Sequence, residues 1–68
     1  MTVGQKIKDY LEGHGISQTF LAKQTSINQA SLNQSLNGGR RLPLEEYERI
    51  CWALDVPVET FLEPHPPT

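Results

Sequence analysis

At 68 residues, with six Lys+Arg against eight Asp+Glu and a net charge of −2, the chain is one domain at most. Its size is near the limit at which a hydrophobic core folds without a disulfide or a metal. Cys51 has no partner for an internal disulfide, and the widely separated His14 and His65 cannot complete a tetrahedral zinc site with it. No stretch approaches the ~18 apolar residues of a membrane span or carries the apolar run of a signal peptide, so a cytoplasmic domain with no membrane partner is expected.

Thr2 and Gln5 form a T-x-x-Q capping box, and Val3, Ile7, Tyr10 and Leu11 recur at the spacing of an amphipathic helix. This first helix runs to about Glu12, where Gly13 and Gly15 supply the permissive backbone that ends it. Ile16-Ser17 then precedes Leu21, and eleven residues later Ile27-Asn28 precedes Leu32. Each set places a capping residue between two apolar residues that staple the helix entry. Two helix starts so close leave room for a helix of about eight residues and a turn of about three, the spacing of a helix-turn-helix. The supporting helix is read as Ser17–Thr25 and the second helix as Asn28–Asn37.

Gly38-Gly39 ends the third helix, Arg40-Arg41-Leu42 is a loop, and Pro43 suits the first position of a fourth helix. There Leu44, Tyr47, Cys51 and Leu54 share one face with Ile50 beside them, and Cys51 reads as a small core hydrophobe. Pro57 opens a short fifth helix whose Val58, Phe61 and Leu62 are expected to close the core. Residues 1–62 therefore form the domain, and residues 63–68 a flexible tail too rich in proline for helix.

On a wheel of ~100° per residue, Leu32 and Leu36 face inward while Ala30, Asn33, Gln34 and Asn37 fall on the far side. Asn and Gln can make paired hydrogen bonds to adenine in the major groove, and Gln29 lies in the first turn, where base edges are usually met. Three Asn and two Gln between residues 28 and 37 make a poor helix, so stability alone does not explain that surface. From residue 17 to 41 the only charged side chains are Lys23, Arg40 and Arg41, whereas Glu45, Glu46, Glu48, Asp55, Glu59 and Glu63 all follow residue 44. Arg40 and Arg41, behind two flexible glycines, are candidates for phosphate contact, with Lys6, Lys8 and Lys23 weaker ones.

The segments SQTFLAKQTSINQASLNQSLNGGRRLP and YERICWALDVPVETFL resemble the lambda-repressor-like (Xre/Cro) helix-turn-helix family over residues 3 to 62. The resemblance rests on Gln18 at the start of the second helix, Ala22 where the two helices cross, the apolar Leu21, Ile27 and Leu32, and the Asn37-Gly38 pair. It implies an all-α, compact five-helix domain that binds double-stranded DNA as a transcriptional regulator, of the Cro repressor or small autoregulator kind. Gln29, Ala30, Asn33 and Gln34 would then read bases, and Gln18, Asn37, Arg40 and Arg41 would contact phosphates. The chain departs from the family pattern at Ser26, where glycine is usual and positive φ is expected, and at Ser35, where a larger apolar residue is common. It also departs at Phe20, which either tucks under the first helix or turns an aromatic edge to the DNA backbone.

No catalytic set, cofactor loop or small-molecule site is legible, and His14 reads as an exposed helix-end residue. The rival to DNA binding is a protein-interaction module on the same fold, which the net acidity favours. Trp52 lies off the apolar stripe of the fourth helix; either the proline-rich tail covers it or it meets a second copy of the chain, giving a homodimer with two recognition helices one DNA turn apart.

Overall fold

A computed structural model of the protein describes residues 2–62, so the expected proline-rich tail at 63–68 lies outside the described residues. Within them the chain forms α1 (Val3–Gly13), α2 (Gln18–Thr25), α3 (Gln29–Leu36) and α4 (Leu44–Leu54), followed by a 3-10 turn at Val58–Phe61. The expected fifth helix is thus a single tight turn. Pro57 fixes its entry, the Thr60 N–H donates to the Pro57 carbonyl at 3.0 Å, and four residues are too few for an α-helical ladder.

The helix starts follow the capping chemistry of the sequence. Thr2 and Gln5 exchange reciprocal hydrogen bonds, each 3.2 Å. Ser17 Oγ accepts from the Phe20 N–H at 3.0 Å, and Asn28 Oδ1 accepts from the N–H groups of Ala30 and Ser31 at 2.9 and 3.2 Å. These bonds satisfy donors that a helix start otherwise leaves open. Ser17 and Asn28 are therefore caps outside α2 and α3, and Asn37 caps the far end of α3, trimming both expected helices at their ends. Pro43 is likewise the N-cap of α4, one place earlier than expected.

All four helices stop by one device. A left-handed residue follows each, namely Gly15, Ser26, Gly38 and Asp55, and the next N–H reaches back five residues into the helix. The four closing bonds are Ile16 to Leu11 (2.9 Å), Ile27 to Ala22 (3.2 Å), Gly39 to Gln34 (2.8 Å) and Val56 to Cys51 (3.0 Å). In three of them the donor is apolar, so ending the helix also turns a side chain toward the core. Ser26, with φ of 59°, meets the backbone demand expected of that position despite its Cβ.

The core is Ile7, Leu11, Leu21, Ala22, Ile27, Leu32, Leu36, Tyr47, Ile50, Cys51 and Phe61. Within it α1 packs on α3, α2 packs on both α3 and α4, and the 3-10 turn touches α1 and α4. Phe61 sets its ring edge-on to Tyr10 at 5.5 Å and to Tyr47 at 6.5 Å, a favourable aromatic geometry that pins the turn to both helices. The Tyr47 hydroxyl donates to the Val58 carbonyl. Burial pushes the Tyr47 phenol up to about 12, so this donor keeps its proton at neutral pH.

Three residues expected in the core lie outside it. Leu44 is 71 % exposed, because it is the first residue of α4 and the core ends a turn beyond it, at Tyr47. Val58 and Leu62 are exposed as well; a four-residue turn inserts one anchor, Phe61, and leaves its neighbours outside. Phe20 is also exposed, which removes the option that it tucks under α1.

Candidate nucleic-acid interface

The N-caps Ser17 and Asn28 set α2 and α3 starting eleven residues apart, at Gln18 and Gln29, joined through Ser26, Ile27 and Asn28. Ile27 is buried and fastens the middle of that turn to the core. α3 then buries Leu32, Ser35 and Leu36, while Gln29, Ala30, Asn33, Gln34 and Asn37 are exposed. Gln29, Ala30, Asn33 and Gln34 together line one shallow surface depression. The sequence-expected base readers are thus brought together on one face.

That face is tied to its surroundings by hydrogen bonds between side chains. Gln29 Nε2 donates to Thr19 Oγ1 on α2 at 2.9 Å, and Asn33 Nδ2 donates to Gln18 Oε1 at 3.2 Å. Asn37 Nδ2 donates to Asn33 Oδ1 at 2.6 Å, and Lys8 Nζ on α1 donates to Asn37 Oδ1 at 3.0 Å. Gln18 and Asn37, the expected phosphate contacts, therefore adjoin the candidate base reader Asn33 directly. Thr19 and the role of Lys8 escaped sequence reasoning; Lys8 lies 29 residues from Asn37, a separation at which no local pattern announces a contact.

The two arginines of the loop differ. Arg40 is half-buried and grips Glu46 with both prongs, Nη1 to Oε1 at 3.0 Å and Nη2 to Oε2 at 3.2 Å, and Nη1 also donates to Ser35 Oγ at 2.9 Å. This bidentate geometry raises the Arg40 pKa through its hydrogen bond to Glu46. Ser35, small and buried, lets the guanidinium reach the inner edge of α3. Arg41 is exposed.

No carboxylate occurs between Glu12 and Glu45, so the α2–α3 unit presents amides, hydroxyls and cations. Beyond it the acidic side chains are partly engaged: Glu46 holds Arg40, and Glu45 holds Arg49 at 2.6 Å. Arg49 Nη1 in turn donates to the Thr25 carbonyl at 3.2 Å, bracing the end of α2 against α4. Cys51 is fully buried, and burial pushes its thiol up, as suits a side chain used for packing. His14 is exposed and stacks on Tyr10 with ring centroids 4.0 Å apart. Trp52 stands 70 % exposed on α4. Among the described residues no helix is long and apolar enough to cross a membrane.

No curated protein matches the chain. Residues 6–67 match the family described as the Cro/C1-type HTH DNA-binding domain.

Proposed function

The chain belongs to the Cro/C1-type helix-turn-helix DNA-binding family, and from that membership we propose that it is a sequence-specific transcriptional regulator, of the Cro repressor or small autoregulator kind. It lays α3 in the major groove of double-stranded DNA. The observation that carries this reading is the exposed face of α3, where Gln29, Ala30, Asn33 and Gln34 meet around one depression on a stretch of chain, residues 13–44, that holds no carboxylate. An amide side chain can donate to N7 and accept from N6 of adenine, and Ala30 can touch a thymine methyl. Gln18, Asn37 and Arg41 take phosphates on either side, fixing the register of the helix without reading sequence. Arg40 reaches a phosphate only by leaving Glu46. The domain acts by binding rather than catalysis, in the cytoplasm, without a small-molecule effector.

Selection from random duplexes gives the preferred site, and Gln29→Ala and Gln34→Ala then test the face. Each costs about 1–3 kcal/mol on that site and little on random DNA, because base contacts discriminate and phosphate contacts do not. Equal losses on both duplexes remove the base-reading assignment. A wild-type protein that passes through immobilised random DNA at low salt is instead a protein-docking module, the reading favoured by its net charge of −2.

Homodimer formation belongs to the same proposal. Trp52, the largest apolar side chain, stands exposed on α4, and Val58 and Leu62 are exposed on the segment after it. Such residues suit the centre of an interface that sets two α3 helices ~34 Å apart on a palindromic site. Sedimentation of wild type and Trp52→Ala, with and without a palindromic duplex, tests it. Two monomers that bind the duplex equally well exclude the dimer.

A further inference from the structure

Lys8, Asn37, Asn33 and Gln18 form a single directed row of hydrogen bonds across three helices. The row begins at the Lys8 ammonium, whose Nζ donates to Asn37 Oδ1 (3.0 Å). It continues from Asn37 Nδ2 to Asn33 Oδ1 (2.6 Å) and from Asn33 Nδ2 to Gln18 Oε1 (3.2 Å). The oxygen and nitrogen ends of a carboxamide are nearly equal in size and exchange by a half-turn, so a row of amides by itself has two hydrogen-bonding orders, one the reverse of the other. An ammonium breaks that symmetry because it can only donate. With Lys8 at its head, Asn37 must offer oxygen to Lys8 and nitrogen to Asn33, and each later amide must follow.

The row ends with Gln18 Oε1 engaged, which leaves Gln18 Nε2 as the end of the amide still able to donate outward. In the reversed order Gln18 would turn its carbonyl oxygen outward. An outward N–H attracts a phosphate oxygen; an outward carbonyl repels it. We infer that Lys8 is a positioning residue whose ammonium, acting through Asn37 and Asn33, fixes Gln18 as a hydrogen-bond donor toward DNA and fixes which edge of Asn33 faces a base. This rests on the reading of Gln18 and Asn33 as DNA contacts. It assigns Lys8 a role different from that of a phosphate ligand, since its effect passes through the amide row.

The test uses Lys8→Met, which keeps the apolar stem, and Lys8→Arg, which keeps a donor-only cation. In the free protein, 1H–15N spectra resolve the side-chain NH2 signals of Asn37, Asn33 and Gln18. The expected result is that Lys8→Met moves all three and Lys8→Arg restores them, with thermal unfolding unchanged. On the selected duplex Lys8→Met weakens binding about threefold to tenfold, the worth of one modest hydrogen bond, Lys8→Arg recovers it, and the slope of log K against log salt stays at its wild-type value. Signals of Asn33 and Gln18 that do not move in Lys8→Met overturn the relay. A loss of affinity accompanied by a slope lowered by about one unit also overturns it, by making Lys8 a phosphate ligand. If the signals move as expected while Lys8→Met and Gln18→Ala both bind like wild type, the row stands and the reading of Gln18 as a DNA contact falls.

Discussion

The inner and outer faces of α3 follow opposite rules. The inner face is Leu32, Ser35 and Leu36, all buried, with Gly4 of α1 pressed against the backbone of Ser35 and Leu36. The outer face is Gln29, Ala30, Asn33 and Gln34, exposed and carrying three carboxamides. One helix of eight residues therefore has its stability supplied from one side and its chemistry displayed on the other. The separation works because N-cap, closing turn and core contacts hold α3 from its ends and its inner face, while its outer residues add only exposed side-chain hydrogen bonds. Substitutions should divide the same way: inner ones change unfolding, outer ones change recognition, and any that does both marks a place where the faces are coupled.

The largest effect is expected for Leu32→Ala. Leu32 is fully buried, and removing its side chain loses transfer energy and leaves a cavity, a cost of about 2–5 kcal/mol. Urea unfolding should show that loss, while any folded fraction keeps its preference between selected and random duplexes. A changed preference would show that packing also sets the reading geometry.

Gly4→Ala comes next. A Cβ at Gly4 would collide with the Ser35 carbonyl oxygen and lie 3.1 Å from the Ser35 carbonyl carbon and 3.2 Å from the Leu36 Cα. These are backbone atoms of α3, so relief requires α1 and α3 to move apart, at roughly 1–3 kcal/mol. This substitution tests the comparison hardest. It touches no outer residue, yet it shifts the helix that carries them, and a fall in both stability and specificity would show the two faces joined through the α1–α3 contact.

The arginine pair gives a smaller effect that separates structure from binding within one loop. Arg41→Ala should lower the slope of log K against log salt by about one unit, for one lost phosphate contact, with unfolding unchanged. Arg40→Ala should leave the slope alone and loosen the join between α3 and α4, since its fork is held by Glu46 and Ser35. Equal slope changes in the two variants would mean that Arg40 releases Glu46 on DNA.

What the sequence discloses here is local. The caps Thr2, Ser17 and Asn28, the spacing that sets α2 and α3 and the outward set of α3 all depend on residues within a few positions of each other, and the left-handed Ser26 follows from the family resemblance. What it hides depends on where elements meet. No local pattern marks Gly4, whose place is set by the α3 backbone packed against it. Leu44 satisfies the apolar stripe of α4 but lies a turn outside the core. The Arg40 clamp needs Glu46 across the loop, and Lys8 needs Asn37 from another helix. The candidate site is legible as a list of side chains; their mutual hydrogen bonds, which decide their orientation, are tertiary.

The smallest effect is expected at Ser26, beside the candidate interface but belonging, by its chemistry, to the stabilising side of the comparison. With φ of 59°, it occupies a region that costs a residue with a Cβ roughly 1 kcal/mol. Glycine removes that strain but also gives the unfolded chain more freedom, which offsets part of the gain. Ser26→Gly should therefore stabilise the domain by about 0.5 kcal/mol, read as a higher urea midpoint with unchanged m value. Asp55, at φ of 57°, supplies the internal control: aspartate tolerates this conformation better than serine, so Asp55→Gly should gain less. Affinity for selected and random duplexes should stay at the wild-type value in both. If Ser26→Gly instead raised stability and weakened specific binding, the serine would be holding the angle between α2 and α3, and the turn would be a second place, after Gly4, where the two faces are coupled.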